Sequence, residues 1–107
     1  MTDSPSVITH IHGPLTFGDM DMLLKVGNAT SPQALSAAIC RAVQEGRHPV
    51  MRAIGHGAIG QAVKGLILAR GLAAPLGLDL CFIPGFENVL NEEGVELSAV
   101  VFRVLWR

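Results

Sequence analysis

The residues best spaced for chemistry lie between Met51 and Gly71, in the stretch MRAIGHGAIGQAVKGLILARG. Gly55-His56-Gly57-Ala58-Ile59-Gly60 fits the form G-x-G-x-x-G, in which glycines let backbone amides approach a phosphate held at a helix N-terminus. Gln61, Lys64 and Arg70 follow at positions that a helix would carry. The same glycines would equally serve close packing of a strand on a helix, with Lys64 and Arg70 as solvated charges, and spacing alone does not choose between the two. His56 is the one residue of the turn able to take or give a proton. A lone turn histidine more often hydrogen-bonds a phosphate or the backbone.

Other chemistry finds little material. No paired carboxylates and no nucleophile-histidine-acid set emerge from the spacing, so no enzymatic activity and no cofactor are expected. His10 and His12 alternate as two ligands on one strand face would, but no third ligand stands near them, and they read as solvated histidines of an extended segment rather than a metal site. Cys40 and Cys81 fall on different elements among apolar neighbours, as small buried hydrophobes kept reduced in a cytosol do.

The elements that must position the turn can be read from periodicity. Residues 1–20 carry Pro5, Gly13, Pro14 and Gly18 among short apolar pairs and form an arm, with Val7 to Ile11 as a candidate edge strand. Residues 21–107 form one domain. Met22 to Val26 reads as a strand, Gly27 to Ser31 as a loop, and Pro32 as the first turn of a helix capped by Ser31 or Thr30. Leu35, Ala38, Ile39, Ala42 and Val43 share one helical face, and Gly46 stands where a helix stops. His48 to Ile54 is a second strand, and a second helix runs from Ala58 to near Gly71 with Ile59, Ala62, Val63, Leu66 and Ile67 inward. Leu78 to Ile83 is a third strand stopped by Pro84-Gly85, Phe86 to Gly94 an acidic loop, and Val95 to Trp106 a long final strand. The order is β-α-β-α-β-β: an α/β chain of the α+β two-layer sandwich kind, in which two helices cover one face of a four-stranded mixed sheet and leave the other open. Alternation turns Lys25, Arg52 and Arg103 toward that open face, beside Leu23, Val50, Ile54, Val101 and Leu105. An amphipathic face of this kind suits a subunit interface or a binding platform.

Composition narrows the function classes. Hydrophobic residues make up 50% of the 107 and charged ones 16%, which excludes a disordered chain and favours self-association into a dimer or tetramer. A formal net charge of -1 removes any bulk attraction to nucleic acid, so a basic site must be clustered. No apolar run is long enough to span a bilayer and no signal peptide opens the chain, so the expected location is the cytoplasm.

The stretch AIGHGAIGQAVKGLILARGLAAPLGLDLCFIPGF resembles the stage V sporulation protein S family, in the order of its glycine turn, Q-A-V-K, A-R-G and I-P motifs. The similarity runs from about Leu23 through Arg107. It implies an Alba-like fold and a non-enzymatic regulatory protein that binds DNA or RNA. The chain departs from the family pattern at Gly60, where a polar residue is usual, and in its added arm; the Gly27 to Ser31 loop also lacks the lysines that Alba-like nucleic-acid binders place there. On this reading Gly55, His56, Gly57, Gly60, Gln61, Lys64 and Arg70 meet the backbone phosphates, with Arg52, Arg41 or Arg47 extending the patch. The alternative is a nucleotide or small phosphorylated ligand on the G-x-G-x-x-G turn. Asp79 lies about twenty residues beyond it, as a ribose-binding acid would, but at the start of a strand rather than its end.

Overall fold

The computed structural model describes residues 7–11 and 21–107, in the order β1 (Val7–Ile11), β2 (Asp21–Val26), α1 (Pro32–Gln44), β3 (His48–Ala53), α2 (His56–Ala73), β4 (Leu80–Leu90) and β5 (Glu96–Trp106). Of the His10 and His12 pair, His12 lies outside the described residues. Among the described residues no group of three or more His, Cys, Asp or Glu stands close enough to hold a metal.

Local chemistry sets the helix ends. The Ala34 amide donates to Ser31 Oγ, and Pro32 sits where a missing N–H costs nothing, so α1 starts there. Its far end closes on Gly46 at φ 77°, where the Gly46 amide donates to the Val43 carbonyl and the Arg47 amide to that of Ala42. α2 begins two residues earlier than the periodicity suggests, at His56, and continues to Ala73. Among the described residues no helix is long and apolar enough to cross a membrane.

The sheet order is β1-β4-β5-β3-β2. β2 and β3 are parallel and the remaining pairs antiparallel, which makes the expected four-stranded mixed sheet, with β1 added as a fifth strand on β4. α1 and α2 lie together on one face, and Ile39, Met51, Leu66 and Val104 are among the side chains fully enclosed between the layers.

Two expectations are corrected. Pro84-Gly85 does not stop the third strand: β4 runs through it to Leu90, pairing with β5 from Leu80↔Trp106 to Leu90↔Glu96. At Pro84 the strand is at the sheet edge, since β1 pairs only with Glu87 to Leu90, and an edge strand tolerates a residue without an N–H. The acidic loop therefore shrinks to the turn between Leu90 and Glu96, and Glu87 becomes a strand residue.

The second correction concerns the face away from the helices. Alternation places Val50, Arg52 and Val101 there as expected, but all of them are buried, and Leu23, Arg103 and Leu105 are half-buried. Arg52 is 5% exposed and Glu87 0%, and Arg52 Nε donates to Glu87 Oε1. Lys25 remains exposed, and Arg103 Nη1 faces Asp21 Oδ1 at 3.8 Å. The centre of this face is closed within one chain, so it is not the open amphipathic surface on which self-association was expected.

Candidate nucleic-acid interface

The parallel strands β2 and β3 both end at one end of the molecule, and α1 and α2 both begin there. Two loops meet at that end. In the β2–α1 loop the Gly27 amide donates to Thr30 Oγ1 at 2.8 Å and the Thr30 amide to the Gly27 carbonyl at 3.2 Å, forming a tight turn of small polar residues. Gln61 Nε2 donates to the Thr30 carbonyl at 2.8 Å, which ties this loop to the second turn of α2.

The three glycines of the motif do different things. Gly55 holds φ 91° and ψ 158°, a combination open almost only to glycine, and this lets β3 turn sharply into α2. Gly57 is helical with ordinary φ, but a Cβ there would fall 1.5 Å from Asn28 Oδ1, so its bare backbone makes room for the Asn28 side chain against the first turn of α2. Gly60 has nothing within 4 Å of a Cβ position and answers to neither demand. The packing role of the motif is thus real at Gly55 and Gly57 and absent at Gly60.

The N-terminus of α2 keeps the features an anion needs. Gly55 offers no side-chain cap, no acid stands in the first turn, and Gly55, His56 and Gly57 are exposed. The Ile59 amide already donates to the Gly55 carbonyl, leaving the amides of His56, Gly57 and Ala58 at the positive end of the helix dipole. Lys64 is exposed on the outer side of α2, about 12 Å along the axis from His56 at 1.5 Å per residue. It stands beside Pro32, Gln33, Ile67 and Leu68, where the start of α1 adjoins α2.

Gly55, His56, Gly57, Gly60 and Gln61 thus share the first two turns of α2, with Lys64 midway along it, and four of the expected residues stand apart from them: Arg41 in the last turn of α1, Arg47 just before β3, and Arg70 and Arg52. Arg70 is about 21 Å from His56 along α2, where its Nε donates to the Leu80 carbonyl and its Nη2 faces Asp79 at 3.7 Å. Arg52 points to the other side of the sheet and is spent on Glu87. Asp79, the acid considered for a ribose, sits with Arg70 and Arg107 at the end of the molecule opposite the glycine turn. Sequence reading missed Asn28 and Thr30 as members of the site. Their signal, a small polar loop after a strand, was legible only as a turn.

This order over a mixed sheet, with both helices on one face and their N-termini at the carboxyl ends of a parallel strand pair, defines a two-layer α+β sandwich. Residues 22–107 match the Stage V sporulation protein S (SpoVS) family, and the chain belongs to that family of sporulation-related regulatory proteins.

Proposed function

We propose that the protein is a non-enzymatic regulator that holds a nucleic-acid backbone at the Gly55 to Gly60 turn. A phosphate accepts hydrogen bonds from the α2 amides of His56, Gly57 and Ala58, with the His56 side chain beside it and Lys64 adding one cationic contact further along the strand. The observation that carries the reading is the exposed, uncapped and acid-free N-terminus of α2. Gln61 acts indirectly, by fixing the Asn28 and Thr30 loop at the rim. Arg52 and Arg70 take no part.

Such contacts read phosphate rather than bases. Trp106, the only tryptophan, is half-buried beside His48 with ring centroids 5.1 Å apart, and no tyrosine is present to stack on a base. Binding is therefore expected to be similar for unrelated sequences. Fluorescence anisotropy with two unrelated duplexes and a single-stranded RNA, at low and moderate salt, tests it. Lys64→Ala should weaken all three alike and reduce the salt slope by about one phosphate's worth. No binding below the millimolar range at low salt would reject the reading.

A second reading is favoured by one observation: the site lies in the crevice at the carboxyl ends of β2 and β3, where open α/β sheets hold small phosphorylated ligands. Calorimetry with a nucleotide and with inorganic phosphate separates it. Since Asp79 is at the far end, Asp79→Asn should leave nucleotide affinity unchanged, and a loss of affinity would point to a site other than this turn.

A further inference from the structure

Charge is sorted along this molecule. α1 and α2 contain no Asp or Glu and carry Arg41, Lys64 and Arg70, whereas three of the nine acids, Glu92, Glu93 and Glu96, lie exposed at the tip of the β4–β5 hairpin. The basic layer also carries an exposed apolar row on α2. Ile67, placed inward by periodicity, is instead 62% exposed, Leu72 is 52% and, just past the helix, Leu76 54%, with Leu68 alongside. Lys64, Ile67 and Leu68 form a shallow groove with Pro32 and Gln33 of α1.

The hairpin tip has the complementary character. β3 stops pairing at Ala53↔Val100, while β4 and β5 continue to Leu90↔Glu96, so the tip projects roughly 13 Å beyond β3 at 3.3 Å per residue. Its turn is rigid. Asn91 Oδ1 accepts from the amides of Glu93 and Val95, both at 2.9 Å, the Asn91 amide donates to the Val95 carbonyl at 3.0 Å, and Gly94 takes φ 78°. Val95 stands 51% exposed among the three glutamates, an apolar knob with an acidic rim already ordered for docking.

We propose that the acidic tip of one copy docks on the basic apolar groove of another, with Val95 against Ile67, Leu68 and Leu72 and Glu92 or Glu93 beside Lys64. The tip belongs to the sheet and the groove to the outer side of the helix layer, so a chain cannot make this contact with itself. A symmetric pairing of two α2 faces would instead bring like charges together. The contact is head-to-tail and joins copies into a ring or an open row. It is small, and its assembly depends on concentration and weakens with salt.

Sedimentation of the full chain over a concentration series at low salt tests it without any nucleic acid, so its failure is distinct from failure of phosphate binding. Wild type should rise above 11.3 kDa with concentration and return toward it in salt. Lys64→Glu and Glu93→Lys, both at exposed positions, should each stay near 11.3 kDa, and an equal mixture of the two variants should regain the larger mass because each groove then meets a tip of opposite charge. Val95→Asp should lower the mass as well. A wild type that remains at 11.3 kDa throughout, an assembly that neither charge reversal disturbs, or a mixture that fails to recover would each overturn the proposal.

Discussion

Arg52 and Glu87 meet in the interior with one hydrogen bond between them, while Arg52 Nη2 and Glu87 Oε2 are buried with no partner among the described residues. Removing one member strands the other as a buried charge, so Glu87→Ala should cost about 3–5 kcal/mol in urea denaturation, whereas Arg52→Met combined with Glu87→Leu should come out near neutral or better. A double variant as unstable as the single one would show that the pair is not the cause. Strand alternation alone puts Arg52 on the face away from the helices. Its partner is 35 residues away and becomes visible only once β4 is known to pass through Pro84-Gly85. The cysteines divide in the same way. Cys40 is buried under α2, with its thiol near the Ala69 carbonyl, and burial pushes it above the ordinary thiol value of 9.0. Cys81 is exposed, contrary to the expectation that both are buried, because its strand carries it to the outside near the sheet edge. Iodoacetamide should therefore modify Cys81 well before Cys40 in the native protein. Because the folded state keeps the Cys40 proton while the unfolded chain loses it, this thiol's contribution to stability is intact below pH 9.0 and declines above it.

At the scale of elements, glycines set how the turn and the helices meet. Gly55→Ala forces a side chain into a glycine-only region of backbone space and should destabilise by roughly 1–3 kcal/mol. Gly65→Ala should cost about 1–3 kcal/mol as well, since its Cβ would lie 2.6 Å from Leu35 Cδ2 and 3.1 Å from Leu35 Cβ, too near the root of that buried side chain to be relieved by rotation. Gly60→Ala should stabilise by about 0.5–1 kcal/mol, because the site is helical and open. Thermal melts of the three variants check the order; a destabilised Gly60→Ala would give the third glycine a structural role that its surroundings do not supply. Gly57→Val belongs to both accounts. The clash falls on the end of the exposed Asn28 side chain, which can rotate away, so a modest change in melting with a large loss of phosphate binding is the expected pattern.

Across the whole molecule, β1 covers the outer edge of β4 from Glu87 to Leu90, the projecting part of the hairpin up to its turn. Deleting residues 1–20 bares that edge, and hydrogen exchange should then show faster exchange at amides of Glu87 to Leu90 with little change in Val50 to Ala53 at the centre of the sheet. Equal protection in both proteins would mean that β1 does not hold this edge in solution. The same projecting hairpin carries Glu92, Glu93 and Glu96 while α1 and α2 carry no acid, so a chain with almost no net charge still sorts its charge between the hairpin tip and the helix layer.

Periodicity, capping residues and glycine placement were enough for the element order, the two-layer arrangement and the glycine turn at the head of α2, because each is governed by neighbours within a few residues. That Gly55, His56, Gly57 and Gln61 gather at the start of α2 was legible for that reason. What only the tertiary structure decided are relations between distant segments: that Arg52 is neutralised by Glu87, that Arg70 pairs with Asp79 at the far end of α2, and that Asn28 and Thr30 complete the turn. Whether a charge is solvated, paired or buried depends on which strand becomes its neighbour. That choice is made by pairing energies summed over whole strands, and no local pattern contains it.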